Sequence, residues 1–214
     1  LYDYLRERKD STIFIHHDNL YLRNIAWGLN QISYGSEDGL YINGHVTGNS
    51  PYLTFEWKAG KDGEHHEVKT QLIGEYNFAN ALAAVTIGHF FDVESEKIDA
   101  ALKEYTPQNN RSQLKQTADN TLIIDAYNAN PTSMQASISN FHNMEIDNKM
   151  LILGDMRELG KDGPEEHQKI VDFLTECGFK DVMLVGEQFA AARHDFPTYP
   201  DAPAVIEAIQ KNKP

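Results

Sequence analysis

MLILGDMRELGKDGPEEHQKIVDFLTECGFKDVMLVG, residues 150–186, decides the fold. Met150–Leu153 is a short apolar run that predicts a strand ending in Gly154-Asp155. Glu165–Cys177 predicts a helix, and Gly178 stands just past it, where glycine readily takes the left-handed C-terminal cap. Asp181–Val185 predicts a second strand, ending in Gly186. Outward from this stretch, Thr121–Ala126 reads as a short apolar strand that carries Asp125 at its end. Ser133–Met144, Gln188–His194 and Ala204–Lys211 read as helices. Strands alternating with helices predict an α/β fold with a parallel sheet and crossover helices. Ligands of such sheets bind beyond the carboxyl ends of the strands, and Asp125, Asp155 and Gly186 all sit there.

Upstream the pattern differs. Residues 1–9 read as the end of a helix, and Thr12–His17 as a buried strand closed by a turn at Asp18-Asn19. Residues 21–31 read as helical. Leu40–Val46, Tyr52–Trp57 and His65–Leu72 each alternate apolar and polar residues. Gly48-Asn49-Ser50-Pro51 and Gly60-Lys61-Asp62-Gly63 separate them, so 40–73 predicts an antiparallel meander. Phe78–Phe91 carries apolar residues at helical spacing after Gly74 and Asn77, which suit a helix start. Glu94–Lys103 reads as a second helix. Thr106-Pro107-Gln108-Asn109-Asn110 is polar, and Pro107 disfavours helix before it. The domain boundary falls there, giving domains 1–106 and 107–214.

The chain has 214 residues, enough for one large domain or two modest ones. A hydrophobic share of 41% supports real cores. A formal charge of −13 argues against a nucleic-acid backbone binder, which needs clustered Lys and Arg. The single cysteine, Cys177, cannot form an internal disulfide, so a reducing compartment and the cytoplasm are the expectation. No charged-then-apolar leader opens the chain, and the longest apolar stretch, Phe78 to Phe91, is too short to span a bilayer. Cys177 lies on an apolar helix face and reads as inert. His16-His17 and His65-His66 are adjacent pairs without the i, i+4 spacing of a helical zinc pair, so no protein-only metal site is assigned.

Several polar constellations remain, each with two readings. Asn77 and Asn80 lie three apart on one face of a helix start. A carboxamide offers donor and acceptor together, which suits the edge of an adenine; the alternative is a capped helix with an Ala-rich packing face. Arg111 follows the linker, where a guanidinium can hold a phosphate with two bonds or simply pair with a surface carboxylate. Asp125 can accept from ribose hydroxyls or cap a turn. Asn130-Pro131-Thr132-Ser133 opens the next helix, with Thr132 or Ser133 as its cap. Asp155, Arg157 and Glu158 form a polar rim that can face a substrate or water, and His167 sits near a helix start as a ligand or a packing residue.

Three motifs in order, Gly74-Glu75-Tyr76-Asn77-Phe78-Ala79-Asn80-Ala81-Leu82-Ala83-Ala84, Asn110-Arg111-Ser112-Gln113 and Asp125-Ala126-Tyr127-Asn128-Ala129-Asn130-Pro131, resemble the C-terminal half of a Mur ligase. The Asp-x-Tyr-Asn-Ala-Asn form resembles the D-alanyl-D-alanine-adding branch of that family. Leu153-Gly154-Asp155-Met156-Arg157-Glu158-Leu159-Gly160 is similar to the same branch. The resemblance implies that residues 1–106 are the C-terminal half of a central ATP-binding domain, and 107–214 a Rossmann-like C-terminal domain truncated at its end. It implies ATP and Mg2+ as cofactors, and UDP-N-acetylmuramoyl-tripeptide and D-alanyl-D-alanine as substrates of a monomeric amide ligase. It puts Asn77 and Asn80 on adenine, Asp125 on ribose, and Tyr127, Asn128 and Asn130 in the loop behind it. Arg111 falls on the phosphates and in the catalytic machinery. Asp155, Arg157, Glu158 and His167 fall near the incoming amino-acid substrate.

No Gly-x-x-x-x-Gly-Lys-Ser/Thr is present, and Gly60-Lys61-Asp62 and Gly160-Lys161-Asp162 lack its spacing. The resemblance places that loop and the magnesium ligands upstream of Leu1, and a further strand beyond Pro214. By this expectation the chain is part of an enzyme and is inactive alone. Another Mur-type or folylpolyglutamate-type amide ligase, and a non-catalytic nucleotide-binding module, stand as alternatives.

Overall fold

Alternating burial along residues 52–59 sets the first sheet. Successive strand side chains point to opposite faces, and Leu53, Phe55 and Trp57 all turn inward and are buried. The computed structural model describes residues 2–8, 10–108 and 110–211. It divides into two compact units, Leu1–Ile124 and Asp125–Pro214.

The first unit opens with α1 (Tyr2–Arg6), β1 (Thr12–His16), α2 (Leu20–Ile25) and β2 (Asn30–Gly35). Then come β3 (Ile42–Asn49), β4 (Tyr52–Ala59), β5 (His66–Ile73), α3 (Phe78–Phe90), α4 (Ser95–Glu104), β6 (Gln113–Gln116) and β7 (Thr121–Ile124). Five strands form one sheet in the order β1-β2-β3-β4-β5. β1, β2 and β3 run parallel, and β3, β4 and β5 form the antiparallel meander read from the sequence. Ile42, Leu53, Phe55, Trp57 and Val68 pack against Ala81, Leu82 and Val85 of α3 and Ile98 of α4. Full burial of each large side chain contributes about 2 kcal/mol. Gly44 lets α3 come close: a Cβ there would lie 2.4 Å from the Glu56 carbonyl and 3.2 Å from Leu82.

Two elements of this unit differ from the sequence reading. The sequence predicts helix over 21–31, yet α2 ends at Ile25 and β2 begins at Asn30. Gly28, at φ 82°, stops the helix, and β2 is fixed by its parallel partner β1 far back in the chain. The sequence also predicts that the strand carrying Asp125 at its end joins a parallel sheet. Instead β7 pairs antiparallel with β6, Gln113 opposite Ile124. The turn between them closes locally: the Thr117 N–H donates to the Asn120 carbonyl at 2.8 Å, and the Asn120 N–H to Thr117 Oγ1 at 2.9 Å. This hairpin stays with the first unit, whereas the sequence-based boundary lies at 106–107. The readings at Leu1, Lys9, Asn109 and 212–214 fall outside the described residues.

The second unit contains α5 (Pro131–Asn143), β8 (Met150–Gly154), α6 (Gly163–Glu176), β9 (Asp181–Val185), α7 (Glu187–Ala191), β10 (Thr198–Tyr199) and α8 (Ala202–Lys211). Its three-stranded sheet, in the order β10-β9-β8, is parallel throughout. Ile138 of α5, Ile170, Val171 and Leu174 of α6, and Val182 and Leu184 of β9 form the core. Gly178 lies past the end of α6 at φ 73°, the left-handed conformation the sequence reading assigned to it.

Candidate functional site

The segment before α3 is built around a glycine. Gly74 has φ 97°, and a Cβ there would lie 2.4 Å from the ring of Tyr76. Tyr76 in turn shares a short hydrogen bond with Ser112 Oγ. Ser112 is buried at φ 48° and Asn110 stands at φ 56°, so the backbone on both sides of Arg111 is left-handed. Within the first unit the Gly74–Asn77 turn and the Arg111 segment are thereby tied together.

Asn77 does not cap α3 with its side chain. The 3-10 turn Glu75–Asn77 runs directly into the helix, so Asn77 has helical dihedrals (φ −78°, ψ −10°), unlike the extended backbone of a capping residue. Its Nδ2 donates back to the Ile73 carbonyl at 2.8 Å, and its Oδ1 accepts from Asn80 Nδ2 at 3.3 Å. Asn80 is exposed. One of its N–H groups is engaged by Asn77; a carboxamide has a second N–H and a carbonyl oxygen.

Asp125 begins the second unit, exposed, with Ser137 Oγ of α5 donating to its Oδ2 at 2.6 Å. Tyr127 is 62% exposed. Asn128 Oδ1 accepts from the Ala129 N–H at 2.9 Å. Asn130, rather than Thr132 or Ser133, caps α5. Its Oδ1 accepts from the Ser133 N–H at 2.9 Å while its own N–H donates to Ser133 Oγ at 3.3 Å, a reciprocal capping box. The extended backbone at Asn130 and Pro131 in the first turn favour this start.

The loop after β8 is the most tightly held of the candidate segments. Asp155 receives two backbone N–H groups, Gln188 on Oδ2 and Phe189 on Oδ1, both at 3.0 Å. Gly186 makes room for this: at φ 120°, a Cβ there would lie 2.2 Å from the Asp155 carboxylate. His167 has no solvent exposure. Its Nε2 accepts the Met156 N–H at 3.0 Å, and its Nδ1 lies 2.6 Å from the Gly163 carbonyl. An accepting Nε2 beside a donating Nδ1–H defines the neutral Nδ1–H tautomer. Phe189 packs edge-on to its ring at 4.7 Å. Met156 is buried in the core, whereas Arg157 and Glu158 are exposed. The structure thus brings Asn77 to Asn80 and Asp155 to His167, and puts Arg157 and Glu158 on the loop that the second pair holds.

Charges nearby have ordinary surface causes. The Lys169 ammonium beside Glu165 holds that carboxyl below its usual range, and Glu165 with Glu166 raises Lys169. Burial, then Glu176, pushes the Cys177 thiol up. Among the described residues no group of three or more His, Cys, Asp or Glu side chains could hold a metal ion. Nor is any helix among them long and apolar enough to cross a membrane. Sequence reasoning quoted Ser112 only as part of a motif and passed over Ser137, and it saw neither the Ser112–Tyr76 bond nor the Ser137–Asp125 bond. Their sequence separations, 36 and 12 residues, leave no local signal.

A parallel α/β unit with a polar loop at its strand ends thus follows, in sequence, a unit whose α3 start carries Asn77 and Asn80. Residues 110–212 match the family described as Mur ligase, glutamate ligase domain, so this stretch of the chain carries a Mur ligase domain. It is 26% identical over 211 residues to UDP-N-acetylmuramoyl-tripeptide–D-alanyl-D-alanine ligase of Synechocystis, covering 94% of this chain and 44% of that protein. The enzyme of the same name from Escherichia coli is 31% identical over 154 residues, 72% of this chain and 33% of that one. Its fold matches the crystal structure of MurF ligase from Thermotoga maritima in complex with ADP, with a TM-score of 0.79 at 16% identity over 97% of this chain and 48% of that one. The chain therefore spans less than half the length of these relatives.

Proposed function

We propose that the protein is an ATP-dependent amide ligase that adds D-alanyl-D-alanine to UDP-N-acetylmuramoyl-tripeptide in peptidoglycan precursor synthesis. The observation that carries this reading is the similarity along 94% of the chain to a ligase of that name. ATP activates the tripeptide carboxylate as an acyl phosphate. ADP departs as the acyl phosphate forms; the dipeptide amine then attacks the acyl carbon, phosphate leaves as the amide forms, and the proton of the amine passes to solvent. Such catalysis is mainly positioning and charge neutralisation.

In this reading Asn80, exposed, takes the adenine edge, whereas Asn77, which the resemblance also puts on adenine, spends its amide on the Ile73 carbonyl and on Asn80 and acts as its support. Arg111 takes the phosphates, its place set by the Ser112–Tyr76 bond. Asp125, steadied by Ser137, accepts from the ribose hydroxyls. Tyr127 and Asn128 line the loop behind Asp125, and Asn130 fixes that loop by capping α5. Arg157 and Glu158 face the incoming dipeptide, with Asp155 and His167 beneath them. Magnesium supplies charge neutralisation at the phosphates when bound, and no residue of this chain is assigned to it.

The test is phosphate release by the protein expressed from its complete reading frame. Release that requires both the UDP-tripeptide and D-alanyl-D-alanine supports the reading. Release with another amine keeps the ligase and changes the substrate, and no release from folded protein overturns it. The 214-residue chain alone, which contains no Gly-x-x-x-x-Gly-Lys-Ser/Thr, is expected to form no substrate-dependent ADP.

A further inference from the structure

We infer that Asp155 and His167 are positioning residues that hold Arg157 and Glu158 at the carboxyl end of β8 to receive a zwitterionic dipeptide. The inference rests on the ligase reading above. A dipeptide amine substrate carries a carboxylate at one end and an ammonium at the other. Arg157 and Glu158 are adjacent, exposed and opposite in charge. A guanidinium suits the carboxylate and a carboxylate suits the ammonium.

Two exposed side chains on a loop discriminate little unless the loop is rigid. This loop is fixed at three successive levels. The Asp155 carboxylate is held by the Gln188 and Phe189 N–H groups, 33 and 34 residues away in sequence. The Met156 N–H is held by His167 Nε2, and the Met156 side chain is locked in the core. Leu159 packs against the same core and closes the segment. Arg157 and Glu158 lie between these anchors. His167 is itself oriented by the Gly163 carbonyl and by Phe189, the residue whose N–H holds Asp155. The two anchors therefore share one support.

Two substitutions at His167 separate positioning from space-filling. H167Q can place an amide oxygen where Nε2 accepts the Met156 N–H. H167N keeps a donor near the Gly163 carbonyl but is too short to reach Met156. In the protein from its complete reading frame, H167N is expected to raise the KM for D-alanyl-D-alanine at least about tenfold. The KM for ATP should stay within about twofold, and Met156 amide hydrogen exchange should accelerate. H167Q is expected to restore the dipeptide KM to within about threefold of the parent. R157A and E158Q change exposed side chains and should repeat the rise in dipeptide KM, so the test does not depend on H167N folding.

An unchanged dipeptide KM in R157A and E158Q overturns the inference. So does an H167N variant with a fast-exchanging Met156 amide and normal dipeptide KM, or one in which both KM values rise together. A parent protein that turns over ATP with the UDP-tripeptide but ignores the dipeptide overturns the substrate reading itself, and this inference with it.

Discussion

The Asn77–Asn80 pair and the Asp155–His167 pair look alike as motifs and behave differently as structure. Asn80 is exposed and tied to Asn77 by one long hydrogen bond of 3.3 Å. His167 is fully buried, with both ring nitrogens engaged. Asp155 accepts two backbone N–H groups in the same network. Polar groups that meet a ligand must keep bonding capacity and access to solvent, whereas polar groups that hold a loop use theirs within the protein. A family motif contains both kinds of residue, and burial sorts them.

Substitution should break the two pairs in different ways. His167→Leu fills the space but leaves the Met156 N–H without its acceptor in the interior. A loss of about 3 kcal/mol is expected, read as a lower urea midpoint. Gly186→Ala forces a Cβ into the Asp155 carboxylate at a backbone angle that disfavours side chains. The expected cost is about 2 kcal/mol, and a midpoint equal to that of the parent would remove Asp155 from the clamp. Asn77→Ala loses one bond to the Ile73 carbonyl and should cost about 1 kcal/mol. Asn80→Ala should stay within about 0.5 kcal/mol of the parent. In the full-length protein it should nevertheless raise the KM for ATP about fivefold, the equivalent of one neutral hydrogen bond. Stability lost at Asn80 without a change in ATP KM would erase the contrast between the two pairs.

The smallest effect is at Cys177, whose thiol is raised by burial and then by Glu176. As pH climbs, the unfolded thiol ionises first, so the folded state loses a little stability above the ordinary thiol range. Alkylation of the folded chain should show its midpoint at higher pH than alkylation of the urea-unfolded chain.

Much of the second unit was legible because its signals are local. The apolar runs of β8 and β9, the glycine after α6 and the Asn-Pro start of α5 each lie within their own element. The β3-β4-β5 meander was legible for the same reason, through period-two alternation and a Gly-bounded loop. What escaped notice depends on distant partners. β2 is a strand because β1 and β3 flank it, and β10 is only Thr198–Tyr199 alongside β9. β6 reads Gln-Leu-Lys-Gln and is extended because β7 folds back on it. At the site, the residue types were legible but their roles were not. Nothing local to Asp155 announces that its carboxylate is taken up by the α7 backbone. Nothing local to His167 reveals that Met156 has already claimed its acceptor.

The placement of the two tryptophans carries a practical consequence. Trp27 is 81% exposed and Trp57 is 1% exposed, stacked on His66 and donating to Asp99 at 2.8 Å. Both belong to the unit that ends at Ile124, and residues 125–214 contain no tryptophan. Indole emission is therefore a private channel to one half of the chain, and unfolding of the other half is optically silent in it. Far-ultraviolet circular dichroism sees both halves. One denaturation series followed by both signals reads out whether the halves melt as one cooperative block or as two, with no label added.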